Sequence, residues 1–434
     1  MSPGNRQLYL LSGLVLAGLL ATLWPVWEPF WKLLAAASLG LLLLDLYQVR
    51  RLPLPEVRRV LRNSLPVGVW SAVELQLLNG SDHGLRLLVH DHHPAAFEVQ
   101  GLPRELRLPA GRTLRVSYRI RPEQRGDAAF PGLDLVLISP LGLWQLKRHI
   151  TLPYQVRVMP NFREIARYAL LAIDNHLSQM GIRRQQRRGE GNDFHQLREY
   201  RFGDSLRQID WKASSRYRRL ISKEYQDERD QQLVFLLDCG RHMRHQDAAG
   251  THLDHALNAM LLLSHVANRQ GDAVGFLAFG GPPRWQPPQK GGDLIRRLLE
   301  RTYDLTATLE AADYLDAAER LMSRQRRRSL VVILTNSHAE DHPELARAVR
   351  LLSRRHLTVL AELRESSLDR VLTQPVRDLE GALRFQGVID YLDSRSQGFE
   401  ALQHQGVLVL DTVPERLPVA LVNRYLEIKA SGAL

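Results

Sequence analysis

Residues 233–238 read LVFLLD, an unbroken apolar run closed by an aspartate. Such a run reads as a strand buried on both faces of a sheet, with a carboxylate at its carboxyl end. Downstream the pattern repeats. Strands are expected at 233–238, 273–279, 329–335, 357–363 and 406–411. Helices are expected around 251–269, 293–303, 311–326, 343–356, 383–404 and 414–429. This alternation defines βαβ units and a parallel, doubly wound sheet. Ligands of such sheets bind beyond the carboxyl ends of the strands, where the strand order reverses.

The stretch that leads into this strand, 181–232, opens with Arg183, Arg184, Arg187 and Arg188 in a Gly-flanked loop. The four arginines read either as one anionic contact patch or as a solvated charge run. Two polar-aromatic clusters follow, REYRFGD and RQIDWK. Asp204 stands at a helix-cap position, and Leu206, Ile209, Ala213 and Tyr217 recur at helical spacing. Arg207, three residues on, can pair with Asp204 across the first turn. Asp210 and Trp211 fall on other faces. The segment reads as a short charged helix clamped against a neighbouring domain, structural and not catalytic. Before it, 161–180 reads as a helix with an apolar stripe.

Further toward the N-terminus the pattern changes. Residues 51–160 hold short alternating runs, among them VWSAVELQLLN, LRLLVHD and RTLRVSYRI, separated by Gly, Pro, Asn and Asp. That spacing indicates an antiparallel β-sandwich. His90, His92 and His93 (HDHHP) suggest a metal site, but their tight spacing does not supply converging ligands, and a strand end running into a Pro turn accounts for them. Residues 8–24 are apolar and uncharged, about 25 Å as a helix, enough to cross a hydrocarbon core. A second apolar span covers 31–47, with Lys32 and Asp45 near its ends where they can reach the interface. Trp24, Trp27 and Trp31 at the turn, with Tyr9 and Tyr47 opposite, form an aromatic belt. Arg50, Arg51, Arg58, Arg59 and Arg62 follow the second span, and positive-inside counting puts both termini in the cytoplasm. A secretory signal peptide is the rival reading; a second span following at once argues against it.

Composition bounds the rest. A chain of 434 residues holds two or three soluble units. A net charge of +11 suits an anionic partner, either nucleic acid or the inner face of a membrane. Its one cysteine, Cys239, excludes an intramolecular disulfide and fits a reducing compartment. Four segments result: a transmembrane hairpin at 1–48, a β-sandwich-like domain at 49–160, a helical and basic linker at 161–232, and an α/β domain at 233–434.

The segment GNDFHQLREYRFGDSLRQIDWKASSRYRRLISKEYQDE, followed by the strand ending at Asp238, resembles the signature of the family designated domain of unknown function fifty-eight. The resemblance extends back to SPLGLWQLKRHITLPYQVRVMPNF and forward to LPVALVNRYLEIKASGAL. Arg198, Tyr200, Gly203, Asp204, Arg207, Asp210 and Trp211 carry its central motif. The resemblance implies a bacterial membrane protein with two N-terminal spans, a β-domain and a von Willebrand factor A-like domain. It also implies association with MoxR-type AAA+ ATPases, and no enzymatic activity.

A von Willebrand factor A-like domain often carries a metal-dependent adhesion site built on Asp-x-Ser-x-Ser after its first strand. Here that loop keeps Asp238, while Gly240 and His242 stand where hydroxyl ligands belong, and Thr335-Asn336 stand where a later strand supplies an Asp. The site reads as degenerate for Mg²⁺, which favours an octahedron of oxygens. Asp238, His242 and His245 are weak candidates for another metal. His242, His245, Asp247, His252, Asp254 and His255 crowd the same loop and helix, and imidazole suits Zn²⁺ or Ni²⁺. An exposed polar loop and helix end account for them, because a site needs three or four converging ligands with an ordered second shell.

Three functional readings follow. The first is a non-enzymatic scaffold in the bacterial cytoplasmic membrane, docking a cytoplasmic ATPase through Asp238, Gly240, His242, Thr335 and Asn336, without a cofactor. The second is a hydrolase or metal-dependent enzyme using the His- and Asp-rich loop, with Cys239 as a conceivable nucleophile. Against it, no Gly-x-Ser-x-Gly, His-Glu-x-x-His or Walker sequence occurs. The third is an anionic-lipid or nucleic-acid binder, but the basic residues form no recognised nucleic-acid module.

Overall fold

The computed structural model describes residues 2–162, 193–201, 209–226, 231–247 and 250–433. The chain divides into two compact units, Met1–Asn161 and Phe162–Leu434. The expected helix at 161–180 and the Arg-rich loop with Arg183, Arg184, Arg187 and Arg188 lie outside the described residues.

In the first unit, α1 (Asn5–Leu23) and α2 (Glu28–Arg51) form a hairpin, and both are long and apolar enough to cross a membrane. Leu16, Leu19, Leu23 and Leu33 are all more than 60% exposed, an apolar surface that suits lipid and not water. The helices close on each other through Trp31, whose indole N–H donates to the Leu14 carbonyl at 3.1 Å. Gly18 makes this approach possible, since a Cβ there would lie 2.9 Å from the indole nitrogen. Lys32 pairs with Glu28 at 2.7 Å.

Asp45 does not face solvent. It is fully buried, and its carboxylate accepts from the Ser139 hydroxyl at 2.5 Å and from the N–H groups of Leu141 and Leu143 at 3.2 Å. The Trp144 indole donates to the Leu42 carbonyl at 2.9 Å. A buried charge needs donors, and a tight turn needs its backbone N–H groups satisfied. The carboxylate and the SPLGL turn meet both needs at once, and Val49 at the end of α2 enters the β core.

That core lies between two sheets. The strands are β1 (Glu56–Val60), β2 (Ser64–Pro66), β3 (Ser71–Leu78), β4 (Leu85–Asp91), β5 (Phe97–Gln100), β6 (Arg104–Leu108), β7 (Thr113–Pro122), β8 (Gly126–Ile138) and β9 (Trp144–Met159). One sheet runs β9–β8–β4–β6, with β2 and the short segment Ser2–Pro3 also on β9; the other runs β1–β3–β7–β5. Alternate residues point inward, so Leu85, Leu87 and Val89 of β4 meet Leu75 and Leu77 of β3 in one apolar cluster.

Among the described residues, the first strands of the second unit form a hairpin, β10 (Asp193–Glu199) and β11 (Ile221–Gln226), with α3 (Trp211–Tyr217) between them in sequence. A helix capped at Asp204 and carrying Leu206, Ile209, Ala213 and Tyr217 was expected, and residues 204–208 lie outside the described residues. Ile209 is bridged to Ser222, and Asp210 caps the helix that holds Ala213 and Tyr217, accepting from the Ala213 N–H at 3.0 Å. A carboxylate at the N-cap satisfies an orphan donor and fixes where the helix starts. Trp211, expected to pack, is 68% exposed.

The rest is a six-stranded sheet: β12 (Gln232–Asp238), β13 (Ala273–Phe279), β14 (Arg284–Gln289), β15 (Leu330–Thr335), β16 (Leu357–Leu363) and β17 (Leu408–Thr412). The order is β14–β13–β12–β15–β16–β17, parallel except for β14 at the edge. β14 has no counterpart in the expected strands; Pro287 and Pro288 mask it, and proline is tolerated there because the strand is an edge. The helices are α4 (His252–Arg269), α5 (Leu294–Thr302), α6 (Tyr314–Arg324), α7 (His342–Ser353), α8 (Ser366–Thr373), α9 (Leu379–Gln403) and α10 (Leu417–Ser431). Leu233, Phe235 and Leu237 pack with α4 and α10 on one face, while Val234 and Leu236 pack with α6 and α7 on the other. Strands buried on both faces need apolar side chains at every position, which is why β12 shows no alternation.

Candidate functional site

Strand order reverses at β12, whose neighbours β13 and β15 lead away in opposite directions. The carboxyl ends of β12 and β15 therefore border the crevice where doubly wound sheets bind ligands. Asp238 ends β12, and Thr335, Asn336 and Ser337 end and follow β15.

Asp238 is 1% exposed and its carboxylate is engaged on both sides. Oδ1 accepts from the Gly240 N–H at 2.6 Å, and Oδ2 accepts from the Thr335 hydroxyl at 2.6 Å. Thr335 has one hydroxyl hydrogen. With that given to Asp238, the Tyr314 hydroxyl 2.8 Å away donates into Thr335. Burial pushes the Asp238 carboxyl up to about 6, against the pull of its two donors.

Gly240 was read as a lost hydroxyl ligand. Its position has no room for one. A Cβ there would lie 3.0 Å from Asp238 Oδ1, 3.1 Å from the Glu310 carbonyl and 3.2 Å from the Ala312 nitrogen. Gly280, at φ +72°, presses from the other side, since its Cβ would fall 2.7 Å from the Gly240 nitrogen. Cys239 is buried, with its sulfur 3.9 Å from the Leu237 carbonyl.

His242 turns away from Asp238. Its ring stacks on His338 at 4.0 Å, Nδ1 lies 3.3 Å from Asp341, and Nε2 accepts from Arg241 at 3.2 Å. Arg241 also binds Glu340. His242, Glu340 and Asp341 bring three donor atoms within 4.8 Å of one another, but the Arg241 guanidinium already bonds two of those residues. Burial, and then the His242 ring, lower the His338 imidazole.

The remaining loop residues disperse. The His245 ring lies 4.7 Å from that of His252. His255 pairs with Asp247 at 2.9 Å, and Asp254 forms a capping box with Thr251 at the start of α4. His252 is fully buried, its Nδ1 3.3 Å from the Asn336 amide nitrogen, and burial lowers its imidazole to about 4. Asn336 itself faces Glu365, donating to Oε1 at 2.7 Å. Burial raises the Glu365 carboxyl, and the Asn336 bond and other partners outweigh it, leaving it lowered. Asp238, His242 and Asn336 thus lie in three adjoining groups and not around one point.

A second set of residues organises the edge and went unread in the sequence. Arg395 of α9 is 3% exposed and donates to the Ser337 carbonyl at 2.8 Å, to Glu362 and Asp411 at 3.2 Å each, and to the Leu363 carbonyl at 3.3 Å. Burial works against its charge, but Glu362 and Asp411 raise it above its ordinary value. Glu362 also accepts from the Ser337 N–H at 2.8 Å and its hydroxyl at 2.6 Å. One guanidinium therefore ties together the ends of β15, β16 and β17. A glutamate inside the apolar run LTVLAEL was the one visible signal.

Arg395 also fixes how α9 is mounted. Arg395 lies at the carboxyl ends of the strands, so residues 379–390, a helical stretch of roughly 18 Å, precede the anchored turn. Most of this arm is exposed, including Leu379 at 76% and Leu383 at 66%, with Val376 before it at 50%. A 420 Å³ groove runs along the same helix, lined by Arg364, Ser396, Glu400 and Asp411 among others.

Of the motif residues, Gly203, Asp204 and Arg207 lie outside the described residues. Arg198 donates to the Glu199 carbonyl at 3.1 Å, the Tyr200 N–H to the Leu220 carbonyl at 2.9 Å, and the Asp210 N–H to the Ile221 carbonyl at 2.9 Å. The two backbone bonds close the hairpin, and Trp211 follows the last of them.

These features define a class: a mixed α/β domain whose switch-point crevice is filled by its own hydrogen-bonded side chains, on a chain that also carries two long apolar helices. Residues 196–389 match the family model described as Protein of unknown function DUF58. The Uncharacterized protein YeaD of Bacillus subtilis (strain 168) is 22% identical over 344 residues, covering 76% of this chain and 75% of that protein. Among solved structures, Salmonella alpha-2-macroglobulin aligns at TM-score 0.21 and 16% identity over 25% of this chain and 7% of its own. A FixG-related protein from Vibrio parahaemolyticus aligns at TM-score 0.18 and 9% identity over 24% of this chain and 97% of its own. Similarity at that level carries no argument about fold or function.

Proposed function

We propose that this protein is a membrane-anchored, non-enzymatic docking platform whose partner contacts the carboxyl edge of the α/β sheet and the projecting arm of α9. The observation that carries the reading is the arm: leucines at 76% and 66% exposure on a helix anchored by a buried arginine. Apolar side chains on a rigid projection favour burial against a partner. The crevice behind it supports the same reading, because the donors around Asp238 are already spent within the chain.

The partner is a MoxR-type AAA+ ATPase, as the family resemblance implies, and the α/β domain belongs to the von Willebrand factor A-like class. The doubly wound sheet order supports that assignment. The apolar hairpin lies in the bacterial cytoplasmic membrane with both termini in the cytoplasm, supported by the arginines that follow α2. In this placement the sheet edge faces cytoplasmic proteins.

Photo-crosslinkers placed at Leu379, Leu383 and His338 of the full chain test this in native membranes. Adducts with the ATPase from those positions, and none from Arg107 in β6, are expected. Equal yields everywhere, or none from the arm, would remove the reading.

A further inference from the structure

The outer face of the first unit carries a second polar cluster. At the end of β4 the pleat turns Asp91 into the core, where it accepts from Arg59 and from the Tyr118 hydroxyl at 2.6 Å. His90 and His92 therefore point outward. His90 pairs with Asp134 of β8, and Asp134 pairs with His149 of β9, which puts the three in one row across three strands. His92 folds over this row from the strand end. Its Nε2 lies 3.0 Å from one Asp134 oxygen, and His149 Nδ1 lies 2.9 Å from the other.

The three donor atoms fall within 4.8 Å of one another. Donors around a tetrahedral Zn²⁺ stand about 3.3 Å apart, given metal–ligand lengths near 2.0 Å. Rotation of these side chains would carry the donors from one arrangement to the other. The backbone under the site is fitted to it: the His92 N–H donates to the Gly132 carbonyl at 3.0 Å, and the His149 ring lies over Gly132, where a Cβ would come within 3.1 Å of Nε2. Gly132 thus anchors the His92 backbone and leaves room for the His149 ring. Lys147 bonds Asp134 at 2.7 Å from a side chain 65% exposed, so a cation already occupies the carboxylate and can swing clear.

We propose that His92, Asp134 and His149 form a binding site for a divalent transition metal of the Zn²⁺ type, with Lys147 as the cation it displaces. Two imidazoles and one carboxylate suit Zn²⁺ and leave a fourth position open for water or a ligand. His93 takes no part; its Nδ1 lies 3.2 Å from the Pro94 carbonyl.

The test uses the full chain in detergent, purified without a histidine tag and stripped with chelator, then titrated with Zn²⁺ against a chromophoric competitor. Co²⁺ absorption reports the ligand field. Wild type is expected to bind with a tetrahedral Co²⁺ spectrum. His92→Ala with His149→Ala weakens binding about tenfold or more, while His242→Ala with Asp341→Ala leaves it unchanged. Lys147→Met tightens it. His92→Gln with His149→Gln can keep hydrogen bonds to Asp134 and separates loss of ligands from loss of fold. Binding by this Gln variant equal to wild type, or no binding by either wild type or Lys147→Met, overturns the proposal.

Discussion

Asp134 and Asp238 are both nearly buried carboxylates, yet their surroundings differ in kind. Asp134 faces two imidazoles and an exposed ammonium, and the ammonium can give up its place to another cation. Asp238 accepts from a backbone N–H and from a hydroxyl that is itself hydrogen-bonded, in a loop too tight for one more carbon. Carboxylates open to exchange bind ions; carboxylates satisfied by fixed donors hold a chain in place. Asp238, read as a degenerate metal ligand, has both oxygens satisfied within the chain, and His92, read as part of a strand end, lies beside a carboxylate that an exposed lysine holds.

The contrast can be broken most forcefully at Arg395. Arg395→Met leaves Glu362 buried without its cation and should cost about 3–5 kcal/mol. Urea denaturation of the detergent-solubilised chain measures it; a loss under about 1 kcal/mol would mean that the edge is not held as described. Next comes Gly240→Ser, which restores a hydroxyl at the expected ligand position. Overpacking should cost about 1–3 kcal/mol, and calorimetry should find no Mg²⁺ affinity gained.

Asp238→Asn sharpens the comparison through pH. The folded carboxyl titrates at about 6, above its ordinary 3.8. Stability from this group is therefore complete below about 3.8 and lost as pH rises through 6, because the folded state must then carry a buried charge. Asn does not ionise. Its deficit relative to wild type should shrink on going from about pH 4 to pH 7, by on the order of 2 kcal/mol, in melting curves across that range. The smallest effect belongs to Lys147→Met. The side chain is 65% exposed, and its removal should change stability by less than about 0.5 kcal/mol.

Much of the α/β unit was legible because strands buried on both faces must be apolar throughout, and LVFLLD, AVGFLAF and LVVILT are. The edge strand β14 was not, because its prolines are permitted only by its position in the sheet. Asp45 looked like an interfacial charge because its three donors come from a turn some hundred residues on. Arg395 gave no sign at all: on a helix rich in charge, one arginine resembles another until tertiary contacts choose it. The His92 cluster shows the same limit. The local spacing His-Asp-His-His argued against convergence, whereas strand register supplies Asp134 and His149 from elsewhere in the chain. Contacts that depend on which strands become neighbours leave no local trace.

The docking claim rests on the arm, and affinity tests it most directly. Binding of the MoxR-type ATPase to the full chain in nanodiscs is measured for wild type and for Leu379→Arg with Leu383→Arg. Both leucines are exposed, so the fold should survive the change. The expected result is at least a tenfold loss of affinity, the scale of one or two apolar anchors. Unchanged affinity in a folded variant would contradict the account.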